Sequence, residues 1–370
     1  MSETRIPVAL GDRSHEIVIA DGALDAPGRH LAPFASTGRL IIVSDVNVME
    51  ALGRHLLTGL TEQELAFEPV IIPPGEGAKS WQGLAGLTNA LADLKIERGD
   101  TIVTFGGGVV GDLAGFAASI FKRGVRLVHM PTSLLAMVDS AIGGKTGINT
   151  THGKNQIGTF YQPSLILIDP KCLSTLPIRQ LRAGYAEIVK YGLVGDPAFF
   201  AWCEANGEKL LARDKEAARR AIEVCARAKA AFVEADERET LGQRALLNLG
   251  HSFAHALEAE TGFSDKLLHG EAVAIGLALA FRFSVARGLC PAEDAERVER
   301  HLRAAGLPVR PVDAGLDVKG SAIAANMAAD KKASGGELTL ILVHGIGKAF
   351  VAPGVKIGEV ADFLESLGDA

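Results

Sequence analysis

Cysteine is scarce in this sequence, and the few cysteines present are not paired in sequence. Cys172, Cys203, Cys225 and Cys290 lie far apart, and none of them forms a C-x-x-C pair. This spacing argues against a disulfide framework and against a zinc site built from thiolates. A reducing, cytoplasmic setting is the simplest expectation.

Positive charge is also in short supply. The chain has 38 Lys and Arg residues against 44 Asp and Glu residues, which gives a formal net charge of -6. General nucleic-acid binders carry a basic excess, so this class of protein is disfavoured. Any basic cluster must be local and suited to a small anion.

Long apolar runs are missing as well. No stretch reaches the roughly 18 consecutive apolar residues that a membrane-spanning helix needs. The N-terminus lacks a basic region followed by an apolar one, so it does not resemble a secretory signal. We therefore expect a soluble protein with no membrane partner.

Alternation of two patterns is the main feature that is present. In the first half of the chain, short β-rich runs alternate with helical patterns, which predicts a parallel sheet with helices on both faces. The predicted strands are Arg39 to Asp45, Pro69 to Gly77, Thr101 to Gly108, Val125 to Ser133 and Ser164 to Pro170. From about Leu176 the sequence is Ala-rich with helical spacing. We predict an α/β N-terminal domain with a Rossmann-like sheet over 1–175 and an all-helical C-terminal domain over 176–370.

A triple glycine follows the third predicted strand. The string from Gly106 to Asp112 opens a helical stretch, and such a turn lets the backbone approach a diphosphate at a helix N-terminus. The alternative is a tight strand–helix turn without a ligand, and the spacing is not G-x-G-x-x-G. The loop Gly75 to Ser80 is similar and weaker. Asp45 is a candidate for a ribose hydroxyl, or simply a residue of a turn.

A second polar group surrounds Lys145. Asp139, Lys145 and Asn149 lie among glycines, followed by Lys154 and Asn155, and we interpret the stretch as a loop that binds phosphate or carboxylate groups. The alternative is a solvated glycine loop. The string Gly-Gly-Lys-Thr is not a P-loop, because that motif needs a glycine where Asp139 stands.

Three histidines within nineteen positions form a metal candidate. His251 and His255 are four residues apart on a predicted helix, and His269 follows a turn. A helical stretch upstream carries Glu187 and Lys190. A catalytic Zn²⁺ takes three N or O ligands and keeps one position open. Spacing alone makes the pair His251/His255 the simplest choice of ligands, but the pattern leaves the set of three undecided. A histidine on an apolar face is often only a core residue.

Other charged residues carry less information on their own. Arg123 stands at the end of a predicted helix, where a cation is favoured in any case. Lys229, Arg244 and the pair Lys331/Lys332 lie in polar stretches, and each alone is better explained as a solvated surface charge.

Several of these strings occur together in one known family. The matching segments are GGGVVGDLAGFAAS, RGVRLVHMPTSLLAMVDSAIGGKTGIN, GKNQIGTFYQP, AEIVKYG, RALLNLGHSFAHALE and LLHGEAVAIG. In these segments the chain resembles 3-dehydroquinate synthases of the sugar-phosphate cyclase superfamily, over about residues 40 to 350. The resemblance implies Glu187, His251 and His269 as ligands of Zn²⁺ (or Co²⁺), which places His255 outside the metal ligands and near a phosphate.

The resemblance also assigns residues to NAD and to the substrate. Those implied for NAD are Asp45, Gly75, Glu76, Gly77, Ala78, Lys79, Gly108, Val109, Val110, Gly111, Asp112, Thr132, Ser133, Lys145, Lys154, Cys172, Leu173, Ser174 and Thr175. Those implied for the substrate are Asp139, Lys145, Asn155, Lys190, Lys229, Arg244, Asn248, His255 and one of Lys331/Lys332, with Lys332 preferred. Arg123 would reach a phosphate of a neighbouring subunit, which implies a homodimer. The segment from Asp236 to Arg244 is one residue longer than is usual in the family.

The activity implied is a carbon–oxygen lyase reaction of the shikimate pathway, towards aromatic amino acids and chorismate. 3-Deoxy-D-arabino-heptulosonate 7-phosphate would be converted to 3-dehydroquinate and phosphate through transient oxidation by NAD, elimination, reduction and aldol closure. Alternatives are another sugar-phosphate cyclase, a metal-dependent polyol dehydrogenase and a non-catalytic binding protein. The Lys145, Lys154 and Asn155 group favours a cyclase over a dehydrogenase.

Overall fold

The computed structural model describes residues 3–151, 153–240, 242–330 and 336–367. The chain separates into two compact units. Unit 1 comprises Met1–Pro177 and Ala218–Arg238, and unit 2 comprises Ile178–Ala217 and Glu239–Ala370.

The described part of the chain contains strands and helices in the following order. The strands are β1 (Glu3–Val8), β2 (His15–Ala20), β3 (Leu40–Asp45), β4 (Phe67–Ile72), β5 (Thr101–Gly106), β6 (Arg126–Pro131), β7 (Lys145–Thr150), β8 (Gly153–Phe160), β9 (Leu165–Ile168), β10 (Glu337–Val343) and β11 (Ala349–Lys356). The helices are α1 (Gly28–Ala35), α2 (Val46–Val48), α3 (Arg54–Glu62), α4 (Trp81–Asp93), α5 (Gly108–Ile120), α6 (Ile178–Gly195), α7 (Pro197–Leu211), α8 (Lys215–Ala235), α9 (His251–Glu260), α10 (His269–Ala286), α11 (Ala292–Ala304), α12 (Gly320–Asp330) and α13 (Ile357–Ser366). A π-helical turn, Met49–Gly53, joins α2 to α3.

Unit 1 is built on a seven-stranded sheet with the order β1-β2-β9-β6-β5-β3-β4. All neighbouring pairs are parallel except β1 with β2. The predicted α/β fold with a parallel sheet is therefore confirmed. The antiparallel hairpin of β1 and β2, which extends the sheet at one edge, is an addition that the patterns did not predict.

The central strands are buried along nearly their whole length. Every residue of β5 is buried, and so are the first five residues of β3. Helix α5 packs on this sheet through Val110, Leu113, Ala114 and Ala117, all fully buried. Nearly continuous apolar runs of this kind are typical of parallel strands that are covered on both faces of the sheet.

The stretch interpreted as a glycine loop around Lys145 forms a hairpin instead. Strands β7 and β8 pair antiparallel, from Lys145 opposite Phe160 to Thr150 opposite Gly153. Within β7, Thr146 and Ile148 are buried. Alternation of β-branched residues stabilises a strand here even though the sequence is polar and rich in glycine.

Unit 2 is predominantly helical, which confirms the helical character predicted for it. It is not all-helical, because β10 and β11 form a two-stranded antiparallel hairpin. Helix α10 is long and apolar enough to cross a membrane by length and composition alone, but 72% of it is buried within the structure. Burial of this kind is typical of the core helix of a soluble protein.

Candidate active site

The segments that the resemblance assigns to NAD follow the carboxyl ends of parallel strands in unit 1. Asp45 ends β3, Gly106 ends β5, and Thr132 directly follows β6. The N–H of Thr132 donates to the carbonyl of Gly106 at 2.9 Å. The segments 75–79 and 172–175 follow β4 and β9. Because such ends share one edge of a sheet, these segments lie along the same edge.

Asp45 has a structural role at this edge. Its side chain accepts a hydrogen bond from the backbone N–H of Val48 at 3.0 Å and so caps the helix that follows β3. Asp45 is therefore a residue of the turn that follows β3, and its contact with a ribose hydroxyl stays a prediction.

The glycine turn leaves the N-terminus of α5 without a side-chain cap. Gly107 is the capping residue and offers no side chain to the first N–H groups of the helix. A Cβ on Gly106 would lie 2.4 Å from a methyl of Val110, and one on Gly108 would lie 3.0 Å from the hydroxyl of Ser140. The turn thus combines close backbone packing with N–H groups that suit a diphosphate.

A buried lysine stands beside this turn. Lys79 is 4% exposed, and its Nζ lies 2.6 Å from Asp112 Oδ2 and 3.6 Å from Glu76 Oε1. Burial lowers the pKa of Lys79, but the carboxylates of Asp112 and Glu76 outweigh it and raise that pKa above its usual value. Lys79 therefore stays a cation inside the protein.

The hairpin of β7 and β8 is tied to the same lysine. Lys79 Nζ donates to Asn155 Oδ1, and the amide of Asn149 donates to Glu76 Oε1 at 2.8 Å. Lys154 Nζ lies 3.8 Å from Glu76 Oε1. Residues predicted from two separate stretches, 75–79 and 145–155, therefore form one polar network.

Two further predicted residues of unit 1 pair with each other. Lys229 of α8 is 6% exposed, and its Nζ donates to the backbone carbonyl of Asp139 and to the Oδ1 of the same residue, at 2.6 and 2.7 Å.

Two other predicted residues of unit 1 are exposed. Lys145 is exposed at the start of β7. Arg123 is exposed too, on a turn where both Lys122 and Arg123 have positive φ.

Unit 2 brings together the three residues that the resemblance implies as metal ligands. One ligand atom from each of Glu187, His251 and His269 lies within 4.8 Å of the other two. Glu187 Oε1 is 3.7 Å from His251 Nε2 and 3.5 Å from His269 Nε2. Glu187 lies on α6, and the two histidines are the first residues of α9 and α10.

The close approach of three helices explains this geometry. A Cβ on Gly270 would lie 1.9 Å from the carbonyl oxygen of Ala183 on α6, and one on Gly276 would lie 2.1 Å from that of Gly250. Gly250 itself has a φ of +80°, which favours glycine. These backbone contacts allow α10 to pack directly against α6 and against the start of α9.

The electrostatics of the three residues suit a cation. Burial raises the pKa of Glu187, but Lys190 and the two histidines outweigh it and hold that pKa well below its usual value. Burial and the Lys190 cation lower the pKa of His251 to about 3. Burial lowers the pKa of His269, but Glu258 and Glu187 raise it to about 10. A divalent cation bound at Nε2 of His269 would displace the proton from that nitrogen.

The donor set fits a catalytic divalent metal. Two imidazoles and one carboxylate make a known zinc ligand set with an open position. Glu187 is fully buried, and its Oε1 has no hydrogen-bond partner among the described residues. A cation at this point would satisfy that oxygen.

His255 is adjacent to these residues but outside the set of three. Its ring centroid lies 5.7 Å from that of His251 and 6.3 Å from that of His269. The 3-10 helix that precedes α9 begins at Arg244 and ends at Asn248. Arg244 is 3% exposed. Lys331 and Lys332 lie outside the described residues.

Two residues of these networks were not predicted as site residues. Asn149 was noted only as part of a polar stretch, and Glu258 only as part of a motif. Glu258 is 1% exposed and accepts from His269 Nδ1 at 3.1 Å. Its position seven residues after His251 was the available signal, because residues four and seven positions apart share one face of a helix.

Two family models match consecutive parts of the chain. The model for 3-dehydroquinate synthase N-terminal matches residues 69–183, and that for 3-dehydroquinate synthase C-terminal matches residues 184–333. A 3-dehydroquinate synthase of Zymomonas mobilis is 50% identical over 98% of this chain and 95% of its own. One of Rhodopseudomonas palustris is 52% identical over 97% of this chain and 95% of its own.

Solved structures give a consistent result. A 2-epi-5-epi-valiolone synthase from Streptomyces hygroscopicus, with NAD⁺ and Zn²⁺ bound, is 32% identical with a TM-score of 0.88, covering 98% of both chains. A 2-deoxy-scyllo-inosose synthase complexed with carbaglucose-6-phosphate, NAD⁺ and Co²⁺ is 25% identical with a TM-score of 0.84, covering 98% of this chain and 99% of its own. A butanol dehydrogenase from Thermotoga maritima, 16% identical with a TM-score of 0.65 over 94% of this chain and 96% of its own, shares the fold. On the family models and the curated relatives, this chain belongs to the 3-dehydroquinate synthase family.

Proposed function

We propose that this protein is a 3-dehydroquinate synthase that converts 3-deoxy-D-arabino-heptulosonate 7-phosphate to 3-dehydroquinate and phosphate. The observation that carries the proposal is the grouping of Glu187, His251 and His269, of which Glu187 is fully buried, in a chain about half identical to enzymes of that name. The reaction has no net redox change, so NAD would be used and regenerated within one turnover.

The metal and the nucleotide would be held by different residues. Glu187, His251 and His269 would bind Zn²⁺ or Co²⁺, and the segments at the sheet edge of unit 1 would bind NAD. When bound, the cation supplies Lewis-acid polarisation of substrate hydroxyls, and NAD supplies a reversible hydride acceptor. We accordingly assign nucleotide binding to 1–175, and metal and substrate binding mainly to 176–370.

The remaining polar residues would bind and orient the substrate. Lys190 and Lys229 are buried, and buried lysines hold phosphate and carboxylate groups strongly because little water competes. Fixed orientation of the substrate lowers the barrier for elimination and ring closure. The residues we assign to this role are Asp139, Lys145, Asn155, Lys190, Lys229, Arg244, Asn248, His255 and one of Lys331/Lys332.

Arg244 favours a substrate with a carboxylate. Arg244 is 3% exposed, and its guanidinium is a planar fork of donors that matches a carboxylate or a phosphate. The 2-epi-5-epi-valiolone synthase and the 2-deoxy-scyllo-inosose synthase are less similar to this chain, at 32% and 25% identity, than the 3-dehydroquinate synthases at about 50%. Dehydrogenases such as the one from Thermotoga maritima, at 16% identity, support only the fold.

The test is release of inorganic phosphate from 3-deoxy-D-arabino-heptulosonate 7-phosphate, recorded together with absorbance at the NADH band. We expect phosphate release that stops when a chelator removes the metal and returns when Zn²⁺ or Co²⁺ is added. Net NADH should stay flat, since each hydride taken is returned.

Two controls give this test its meaning. Glucose 6-phosphate, which lacks the carboxylate, should release no phosphate. Steady accumulation of NADH with a polyol would instead identify a dehydrogenase. No release from the seven-carbon acid with metal and NAD⁺ supplied would refute the proposed function.

We also propose a homodimer in which Arg123 serves the neighbouring subunit. Its exposure and the positive φ values of its turn support this role, since strained backbone often accompanies function. If so, Arg123→Ala and Glu187→Gln subunits should each be inactive alone. After mixing and subunit exchange, activity should return to about a quarter of the wild-type value, because half of the dimers are hybrids with one intact site.

The control for this experiment mixes two samples that carry the same substitution. That mixture should stay inactive, because no hybrid with an intact site can form. Full activity of Arg123→Ala on its own would rule out the role of Arg123. Failure of complementation between two correctly dimeric variants would place Arg123 in its own subunit's chemistry.

The proposed cellular setting is the cytoplasm. The four cysteines are all free and buried, with no disulfide between them. This agrees with a reducing compartment.

A further inference from the structure

Glu258 is a buried carboxylate with no role in the assignments above. It lies near the end of α9, two turns after His251, and is 1% exposed. Its Oε1 lies 3.1 Å from Nδ1 of His269, the first residue of α10. Burying an ionised carboxylate is costly unless it is paired, and the contact with His269 supplies a partner for this one.

The two histidines of the candidate metal group are held in the same way. Nδ1 of His251 lies 3.2 Å from the carbonyl oxygen of Leu249, and Nδ1 of His269 lies against Glu258. In the neutral imidazole that binds a cation, an acceptor at Nδ1 keeps the remaining proton there and leaves Nε2 with its lone pair. Both Nε2 atoms are directed at Oε1 of Glu187, at 3.7 and 3.5 Å.

We propose that Glu258 is a positioning residue that fixes the orientation and tautomer of His269 and thereby strengthens metal binding at Glu187, His251 and His269. The inference rests on the proposed function, because it presumes the cation. Carboxylates that accept from the second nitrogen of a metal-bound imidazole make that imidazole a better ligand.

The two acceptors differ in charge, and this difference gives Glu258 a distinct effect. Leu249 offers His251 a neutral carbonyl, whereas Glu258 offers His269 an anion. A buried anion next to the candidate metal ligands adds attraction for a divalent cation, because the low dielectric of the interior screens the interaction between the two charges only weakly. Lys190, whose Nζ is 2.6 Å from Glu187 Oε2, acts in the opposite direction.

The experiment measures the dissociation constant of Co²⁺ by competition with a chromophoric chelator, together with the visible absorption bands of bound Co²⁺. Glu258→Gln keeps the shape of the side chain and removes its charge. Glu258→Asp keeps the charge and withdraws it by one methylene. We expect Glu258→Gln to weaken Co²⁺ binding about 10- to 100-fold, and Glu258→Asp to weaken it less, with shifted absorption bands in both.

The matched control is Glu299→Gln. Glu299 of α11 is also a carboxylate of unit 2, and it pairs with Arg282 rather than with a histidine. This substitution should leave the Co²⁺ constant and the absorption bands unchanged. A general effect of removing an acid would instead appear in both Gln variants.

Unchanged Co²⁺ affinity and spectrum in Glu258→Gln would overturn the inference, and if that variant fails to fold, the same result in Glu258→Asp would do so. The wild type separates this failure from failure of the proposed function. A wild type that binds Co²⁺ and releases phosphate, alongside a Glu258→Gln variant of equal affinity, refutes only the role of Glu258. A wild type that binds no Co²⁺ refutes the metal site itself.

Discussion

Replacing Glu187 with Gln is expected to abolish tight metal binding and to lower kcat/KM for phosphate release by about 10²- to 10³-fold, the equivalent of several kcal/mol of charge stabilisation. Glutamine fills the same volume, so the packing of α6 should survive. Oε1 of Glu187 is the atom that faces both imidazole Nε2 atoms, and an amide oxygen there carries no formal charge.

Thermal unfolding gives a second measurement of the same substitution. A ligand that binds only the folded state raises Tm, so Zn²⁺ should stabilise the wild type and leave Glu187→Gln unchanged. Glu299→Gln serves as the control and should respond to Zn²⁺ like the wild type. If Glu187→Gln kept both the Zn²⁺-dependent rise and its turnover, the assignment of Glu187 as a ligand would be wrong.

The sheet of unit 1 was predictable because its signals are local. Nearly continuous apolar runs such as Leu40–Asp45 and Thr101–Gly106 indicate strands that are buried on both faces, and the glycines after Thr101–Gly106 indicate a tight turn. The β7 and β8 hairpin was not predicted. Its alternation of Thr146 and Ile148 is obscured by glycine and by polar residues that belong to the Lys79 network.

The metal group shows the limit of local signals. Helical spacing suggested His251 with His255, because residues four apart share a face. The structure instead groups His251 with Glu187 and His269, which come from two other helices. That grouping depends on close backbone contacts at Gly270 and Gly276, and spacing along one helix carries no information about them. The family resemblance supplied the three residues, because it carries tertiary information that pattern alone lacks.

Replacing Lys190 with Met should have the opposite effect on metal affinity while also removing activity. Lys190 is 1% exposed, and its Nζ lies 2.6 Å from Glu187 Oε2. Without metal, the substitution leaves a buried carboxylate lacking this cationic partner. We expect the free energy of unfolding to fall by about 3–5 kcal/mol, the usual cost of breaking a buried ion pair from one side.

Metal should reverse much of that loss. The Lys190 cation helps to lower the pKa of His251, so its field already acts against positive charge in this group. Removing it should tighten Co²⁺ binding, and a cation seated on Glu187 would restore a partner to the carboxylate. We therefore expect Lys190→Met to be much less stable than the wild type in chelator and closer to it in excess Co²⁺.

Turnover separates the two roles of Lys190. If Lys190 also binds substrate, Lys190→Met should stay nearly inactive even when metal restores its stability, and Lys190→Arg should recover part of the activity by returning a cation. Chemical unfolding in chelator and in Co²⁺, with phosphate release on the same samples, measures both. Weaker Co²⁺ binding in Lys190→Met would contradict the electrostatic argument, because a neutral side chain cannot repel a cation more than an ammonium group does. Opposite shifts of metal affinity in Glu187→Gln and Lys190→Met would tie both results to charge rather than to packing, since both changes keep the size of the side chain.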